Sequence, residues 1–183
     1  MLTYIALLRG INVSGQRKIK MIDLKILFES LDFKNVRTYI QSGNVIFEFE
    51  LMDCGLLSKI IEDKILLDLG LEVSVIIRNH EQLIAILRDN PFVTIENEMS
   101  VLYVTFLSDN PNDGVLDKIN EINFAPDKFR IIGREAYLFC PNGYGRTKLN
   151  NSFFANKLKL KATTRNWRTI DELNEMVNSN RFT

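Results

Sequence analysis

Residues 143–149, GYGRTKL, place two glycines, two cations and a threonine between an apolar segment and a segment with helical periodicity. Glycines at such a corner let backbone N–H groups turn toward one point, and a helix beginning there would add the positive end of its dipole. The spacing predicts an anion-binding corner, and the alternative is a tight turn with solvated side chains. Its candidate residues are Gly143, Tyr144, Gly145, Arg146, Thr147 and Lys148.

The first basic loop along the chain, RGINVSGQRKIK at residues 9–20, contains four cations and no acid, and the GYGRTKL corner is the second basic loop. Arg9, Asn12 and Lys18 are its candidate ligand-binding residues, because a glycine-bearing turn again follows a strand and precedes a helix. Neither loop has a standard phosphate-binding motif. GYGRTK lacks the G-x-x-x-x-G-K-[ST] spacing, and Gly10 and Gly15 do not fit G-x-G-x-x-G. We expect the two loops to contribute to the same site.

The string KATTRNWRT near the carboxyl end has two interpretations. In the first, Thr163, Thr164 or Asn166 caps the last helix and Trp167 seals its first turn against the core. In the second, Arg165 extends the site of Arg146, and Trp167 offers a stacking surface. Arg165 and Trp167 are therefore candidate ligand-binding residues.

No catalytic signature is present in the sequence. His80 is the only histidine, and it is expected on the surface in the first turn of a helix. Cys54 and Cys140 have no neighbouring cysteine or histidine, which argues against a zinc site or a disulfide framework. We expect neither a metal nor a cofactor, no catalytic residue is assigned, and whether the chain is an enzyme stays open.

The formal net charge is zero, but the charges are unevenly distributed along the chain. Residues 141–170 carry seven cations and no acid. A content of 46% hydrophobic and 25% charged residues is typical of a soluble globular protein with a core. The first eight residues, MLTYIALL, are too short to span a membrane and are not followed by a signal-peptide cleavage site. They are predicted to be a strand, and we expect a cytoplasmic protein with no membrane partner.

Hydrophobic periodicity predicts an α+β fold. LTYIALLR, VRTYI, NVIFEF and LEVSVIIR are predicted strands, and helices are predicted around MIDLKILFESL and residues 53–69. The hairpin QSGN is expected to have positive φ at Gly43 and Asn44, and Gly70 to end the second helix. This order, β-α-β-β-α-β, is that of ferredoxin-like folds.

The second half is predicted to repeat the order as β-α-β-β-α, with a last helix in place of a final strand. Asn79 and Gln82 are expected to cap a connecting helix, Asn110-Pro111 to open another, and TKLNNSFFANKL to form a third. In LTYIALL and VLYVTFL both alternating sets of residues are apolar, so both strands should be covered on both faces. We therefore predict two ferredoxin-like-related β-α-β-β-α units, residues 1–79 and 80–183, packed as one compact body with a C-terminal helix.

A ferredoxin-like order also suggests RNA binding through aromatic residues on an open sheet face. In NVIFEFE, however, Phe47 and Phe49 share a face with Val45 that is expected to be core, and Glu48 and Glu50 occupy the other face. Carboxylates there would repel phosphates, so a nucleic-acid partner has little support from the sequence.

The strings RGINV, KIKM, NVRTYIQSGNV, GYGRTKL and ATTRNW occur in this order. With them the chain closely resembles a bacterial family known as domain of unknown function 1697, from Tyr4 to about Leu173. The resemblance implies a cytosolic α+β protein related to ferredoxin-like folds, and it implies no activity and no catalytic residue.

Three classes of function stay open at this point. The first is a binding protein for a phosphorylated small molecule or nucleotide, which the basic loops favour. The second is an enzyme that uses the same loops, with Tyr144 or Lys148 among the groups able to act as acid or base. The third is a protein or nucleic-acid interaction module that uses the basic face. Neither the ligand nor the oligomeric state is predicted.

Overall fold

The structure is a computed structural model, and it describes residues 1–13, 17–94 and 97–179. The chain divides into two compact units. The first unit contains Met1–Ile84 and the segment that starts at Leu173, and the second unit is Ala85–Glu172.

The first unit has a four-stranded antiparallel sheet with strand order β2-β3-β1-β4. Its elements along the chain are β1 (Leu2–Leu8), α1 (Met21–Glu29), β2 (Lys34–Tyr39), β3 (Asn44–Phe49), α2 (Cys54–Leu69) and β4 (Val75–Asn79). The helix α3 (His80–Asp89) follows β4 directly.

The second unit repeats the arrangement, with strand order β6-β7-β5-β8. Its elements are β5 (Leu102–Leu107), α4 (Asp113–Asn120), β6 (Lys128–Ile132), β7 (Glu135–Phe139), α5 (Asn151–Leu158) and β8 (Ala162–Asn166), and α6 (Trp167–Ser179) follows β8. Two similar halves and a C-terminal helix confirm the predicted α+β fold class.

Strand β8 corrects the sequence prediction, which placed only helix caps in this segment. Residues Ala162–Asn166 pair with β5 in unbroken antiparallel register from Tyr103↔Asn166 to Leu107↔Ala162. The threonines that resemble caps are also β-branched, and β-branched residues favour strands. Asn166 still caps α6, since its Oδ1 accepts a hydrogen bond from the Thr169 amide at 2.8 Å.

Several local predictions are confirmed and others are corrected. Asn79 and Gln82 form a reciprocal capping box, with side-chain to amide distances of 2.9 and 3.0 Å. Gly70 ends α2 in the left-handed conformation. In the β2–β3 hairpin, positive φ occurs at Gly43 and at Ile40 rather than at Asn44.

One other boundary prediction and one burial prediction are wrong. Helix α4 begins at Asp113, after the Asn112 cap, and not at Asn110-Pro111. His80 begins α3 as predicted, but its side chain is buried and does not lie on the surface. The start of α4 is set by the local Asn112 cap, whereas the burial of His80 depends on tertiary packing that its position at a helix start does not reveal.

Aromatic residues of β3 lie in the core of the first unit, as the strand pattern predicts. The Phe47 ring is fully buried and stacks on Phe33 at a centroid distance of 4.3 Å. Tyr4 and Phe28 contact the same ring at 5.6 and 5.5 Å. These rings are therefore not available as a stacking surface for RNA bases.

Most residues of the central strands β1 and β5 are buried, whereas a strand covered on one face only would bury every second residue. Residues from Tyr4 to Leu8 are all buried, so both faces of β1 are covered. In β5, Leu102 and Val104–Leu107 are buried, and Tyr103 is half-buried. The packing of the two halves into one compact body stays a prediction.

Replacing Phe47 by alanine is expected to lower the free energy of unfolding by about 3–5 kcal/mol, because a fully buried ring leaves a cavity. Urea denaturation followed by circular dichroism measures the change. Phe49→Ala, at the half-buried edge of the same cluster, should cost less. A loss below about 1 kcal/mol at Phe47 would show that the buried face of β3 is assigned wrongly.

Replacing Gly43 by alanine is expected to cost about 2–4 kcal/mol, from a left-handed backbone and from overpacking together. Gly43 has φ of +77°, and a Cβ there would lie 2.7 Å from Ile11 Cδ1 and 2.8 Å from Leu8 Cβ. Gly70→Ala is the matched control, because Gly70 has φ of +65° but open space around it. Equal losses in the two variants, measured by denaturant unfolding, would contradict the steric part of this explanation.

Candidate functional site

The two units share a topology but differ in the connections that leave their strands. Residues 9–20 join β1 to α1, whereas residues 108–112 make the equivalent connection from β5 to α4. Residues 140–150 join β7 to α5, whereas residues 50–53 join β3 to α2. Each unit therefore has one extended connection, and these are the two basic loops that the sequence singles out.

The extended connections follow different strands of the repeated topology. The first follows strand one of its unit and the second follows strand three. Strands one and three are antiparallel neighbours in both sheets. In either unit, the connections after strands one and three therefore leave opposite ends of the sheet. The extended connection is the one after strand one in the first unit and the one after strand three in the second.

The first basic loop is closed by the side chain of Asn12. Its Nδ2 donates to the carbonyl oxygens of Ile19 and Gln41, both at 2.9 Å, and its Oδ1 accepts from the Ile19 amide at 2.9 Å. Asn12 therefore holds the loop against the β2–β3 hairpin. Arg9 is half-buried beside β4, Lys18 is exposed, and Gly15 lies outside the described residues.

The second basic loop is a 3₁₀ turn at Tyr144–Arg146, and this corrects the prediction of a helix beginning at the corner. Helix α5 begins only at Asn151, and Asn150 caps it by accepting a hydrogen bond from the Phe153 amide. The corner's own amides bond locally: Gly143 donates to Cys140, and Arg146 donates to Gly143. Anion binding by a ring of free backbone amides is therefore not supported at these positions.

Two side chains of the corner point inward and fix it. The Tyr144 hydroxyl donates to Thr164 Oγ1 at 2.9 Å, and that Thr164 hydroxyl donates to Asn151 Oδ1 at 2.6 Å. Thr147 is buried, and its Oγ1 accepts from the Leu149 amide at 3.0 Å. Gly143 has φ of +83°, which favours glycine, whereas a Cβ on Gly145 would meet open space.

Arg146 and Lys148 are the exposed cations of the corner, and both line one cavity of about 360 Å³ in the second unit. The other wall comes from the segment before β6. The principal lining residues are Asn123, Phe124, Asp127, Asn142, Arg146 and Lys148. Four of these, Asn123, Phe124, Asp127 and Asn142, are not among the residues predicted from the sequence. Asn142 could be predicted because it is adjacent in sequence to the corner. Residues 123–127 could not, because only the fold brings them to this cavity.

Arg165 and Trp167 lie inside the protein rather than on a ligand surface. The Arg165 Nη1 donates to Thr163 Oγ1 and to the Thr164 carbonyl oxygen, both at 2.9 Å. Burial lowers the pKa of the Arg165 guanidinium to about 10. Trp167 is the first residue of α6 and is buried, as the structural interpretation predicts.

Cys140 is a buried thiol beside the corner, in the core of the second unit. Burial raises the pKa of the Cys140 thiol to about 11, and a hydrogen bond with Thr147 opposes the shift. Among the described residues, no group of three or more His, Cys, Asp or Glu side chains is placed to hold a metal ion. None of the helices in residues 1–13, 17–94 and 97–179 has the length and apolarity needed to cross a membrane.

The raised pKa predicts that Cys140 is inert in the folded protein. At pH 8 a thiol with a pKa of about 11 is roughly 0.1% thiolate, against about a quarter for an unperturbed thiol. In a Cys54→Ser variant, a thiol reagent at pH 8 should modify native Cys140 at least about 100-fold more slowly than the denatured chain. Rapid native modification would contradict the buried placement, and the gap between the rates should narrow as the pH rises toward 11.

Comparison with known proteins supports the fold and leaves the activity open. The solved structure of the conserved bacterial protein SP0830 from Streptococcus pneumoniae is similar with a TM-score of 0.75. The similarity covers 96% of this chain and 98% of that chain at 22% identity, which shows the fold alone. No curated protein matches the chain. The family match covers residues 1–137, so the GYGRTKL corner lies beyond it. The match confirms the resemblance seen in the motifs, and the chain belongs to the family described as "Protein of unknown function (DUF1697)".

Proposed function

We propose that this protein binds a phosphorylated small molecule in the cavity of its second unit, in the cytoplasm. The observation that carries the proposal is the convergence of Arg146 and Lys148 on one cavity. Within the described ranges, neither cation forms an ion pair with a carboxylate. A guanidinium donates to two phosphate oxygens at once, and an ammonium adds a point charge.

The remaining walls suit the organic part of such a ligand. The Phe124 ring is held edge-on by Phe153 and Phe129, with centroid distances of 5.1 and 5.8 Å, and it offers an apolar surface. Asn142 is exposed and can donate or accept. Asp127 is the carboxylate of the lining, and it would accept a hydrogen bond from a ligand hydroxyl. A sugar phosphate supplies both the anion and the hydroxyl.

The size of the cavity and the order of the corner are consistent with a small ligand. A volume of about 360 Å³ falls in the range of small-molecule sites. The turn bonds of Gly143 and the inward bond of Tyr144 fix the backbone that carries Arg146. Binding would therefore order little chain, which limits its entropic cost.

The cytoplasmic part of the proposal rests on the cysteines. Both are thiols in the structure, and one of them is a core residue. Buried thiols are typical of proteins in reducing compartments.

A thermal-shift and calorimetry panel tests the proposal, with sugar phosphates, nucleoside monophosphates, inorganic phosphate and the unphosphorylated sugars, each at two salt concentrations. A ligand at about 100 times its dissociation constant should add about 2.7 kcal/mol of stability. The double variant Arg146→Ala/Lys148→Ala should lose this gain and stay folded, because exposed loop charges contribute little to stability.

The matched control is Arg130→Ala/Lys157→Ala. It also removes one arginine and one lysine, but from exposed positions of the second unit outside the cavity. It should retain binding. Equal losses in both double variants would indicate a nonspecific charge effect. Binding of oligonucleotides alone, with steep salt dependence, would favour a nucleic-acid module instead. If no phosphorylated compound stabilises the wild-type protein, the corner is only a turn.

A further inference from the structure

A second cavity lies in the first unit, with a volume of about 420 Å³. One wall comes from the first basic loop and carries Arg9 and Arg17. The other comes from α2 and the segment before β4, and it carries Glu62, Asp63 and Glu72. Charges of both signs thus line one cavity, on different parts of the fold.

Backbone hydrogen bonds fix the main chain at Arg9 and Arg17, the two residues that carry the guanidinium groups. The Arg9 amide donates to the Ser74 carbonyl oxygen at 2.9 Å, and the Asn12 amide donates to the Arg17 carbonyl oxygen at 3.2 Å. Gly10 has φ of +66°, and Arg17 Nη1 lies 3.4 Å from the position that a Cβ on Gly10 would take. The Arg17 guanidinium therefore lies close to Gly10, whose left-handed backbone favours glycine.

The three carboxylates differ in what already binds them. Glu62 Oε1 accepts a hydrogen bond from the Val75 amide at 2.8 Å, so it helps to fix the start of β4. Asp63 pairs with Lys59 at 3.2 Å on the surface of α2. Glu72 is exposed and has no hydrogen bond or ion pair to another described residue.

The cations and the acids of this cavity do not neutralise one another. In the part of the chain that the structure describes, neither Arg9 nor Arg17 forms an ion pair, although carboxylates line the same cavity. A bare anion would meet three carboxylates, and a bare cation would meet two guanidinium groups. A molecule with separated opposite charges satisfies both walls.

We propose that this cavity binds a zwitterionic small molecule of the amino-acid class. Its carboxylate binds Arg9 and Arg17, and its ammonium group binds Glu72 with help from Asp63. Leu66, which also lines the cavity, contacts the aliphatic part of the ligand. The residues that line this cavity belong to the first unit, and those that line the other cavity belong to the second unit.

Isothermal titration of the full chain with each neutral amino acid in turn tests the proposal. At least one should bind saturably, and its amide and its N-acetyl derivative should bind at least about tenfold more weakly, because each lacks one charge. An amide or N-acetyl derivative that binds as tightly as its parent would overturn the assignment. The assignment would also be overturned if no amino acid bound with a dissociation constant below about 10 mM.

Variants of the two walls locate the site. Arg17→Ala and Glu72→Gln should each weaken binding by about 10- to 100-fold, the range expected for one lost charged hydrogen bond. Gly10→Ala should also weaken binding, since alanine is strained at φ of +66° and the strain falls on the turn beside Arg9. Arg146→Ala/Lys148→Ala should leave amino-acid binding unchanged, which separates this proposal from the first. Unchanged affinity in both Arg17→Ala and Glu72→Gln would place any binding elsewhere. Circular dichroism confirms folding of these surface variants.

Discussion

The central position of the first strand is the constraint on which each unit depends. β1 and β5 each lie between the third and fourth strands of their unit and pair with both in antiparallel register. Every residue from Tyr4 to Leu8 is buried, so both faces of β1 must be apolar. This explains why the segment has no alternation with polar residues. The same pairing sends the chain out of opposite ends of the sheet after strands one and three. The long connection can therefore lie at either end without disturbing the core.

Much of the architecture could be predicted from sequence because its signals are local. The Asn79–Gln82 capping box and the Gly70 helix end each need only a few neighbouring residues. β8 was missed because Thr163 and Thr164 suit a cap and a strand equally well, and only pairing with β5 decides between them. The glycine-rich turn before α5 predicts a helix start at the corner, which the structure does not have. Asn150 is itself a favoured cap residue, and its cap moves that start to Asn151.

The candidate residues fall into two groups: those whose side chains already bind other parts of the protein, and those whose side chains are exposed. Asn12 is a plausible ligand-binding residue by type, but its amide group closes a loop. Arg165 has the right charge but is buried among threonine oxygens. Arg146 and Lys148 remain exposed, as does Lys18. Sequence supplies the charge of a residue, and only the fold shows whether that charge is already satisfied. The fold also brings residues outside the GYGRTKL motif, such as Asn142 and Asp127, to the same cavity.

The edge strands show a further consequence of the repeated sheet, for aggregation. β2 and β6 hold the same edge position in their sheets, and an edge strand can pair with a strand of another molecule. β2 is irregular between Lys34 and Arg37, with Asn35 at φ of +51°, so it presents a broken row of hydrogen-bonding groups. β6 is regular but exposes Lys128 and Arg130, and a second copy paired along it would bring like charges together. At this shared edge position, intermolecular pairing is thus opposed by geometry at β2 and by electrostatic repulsion at β6.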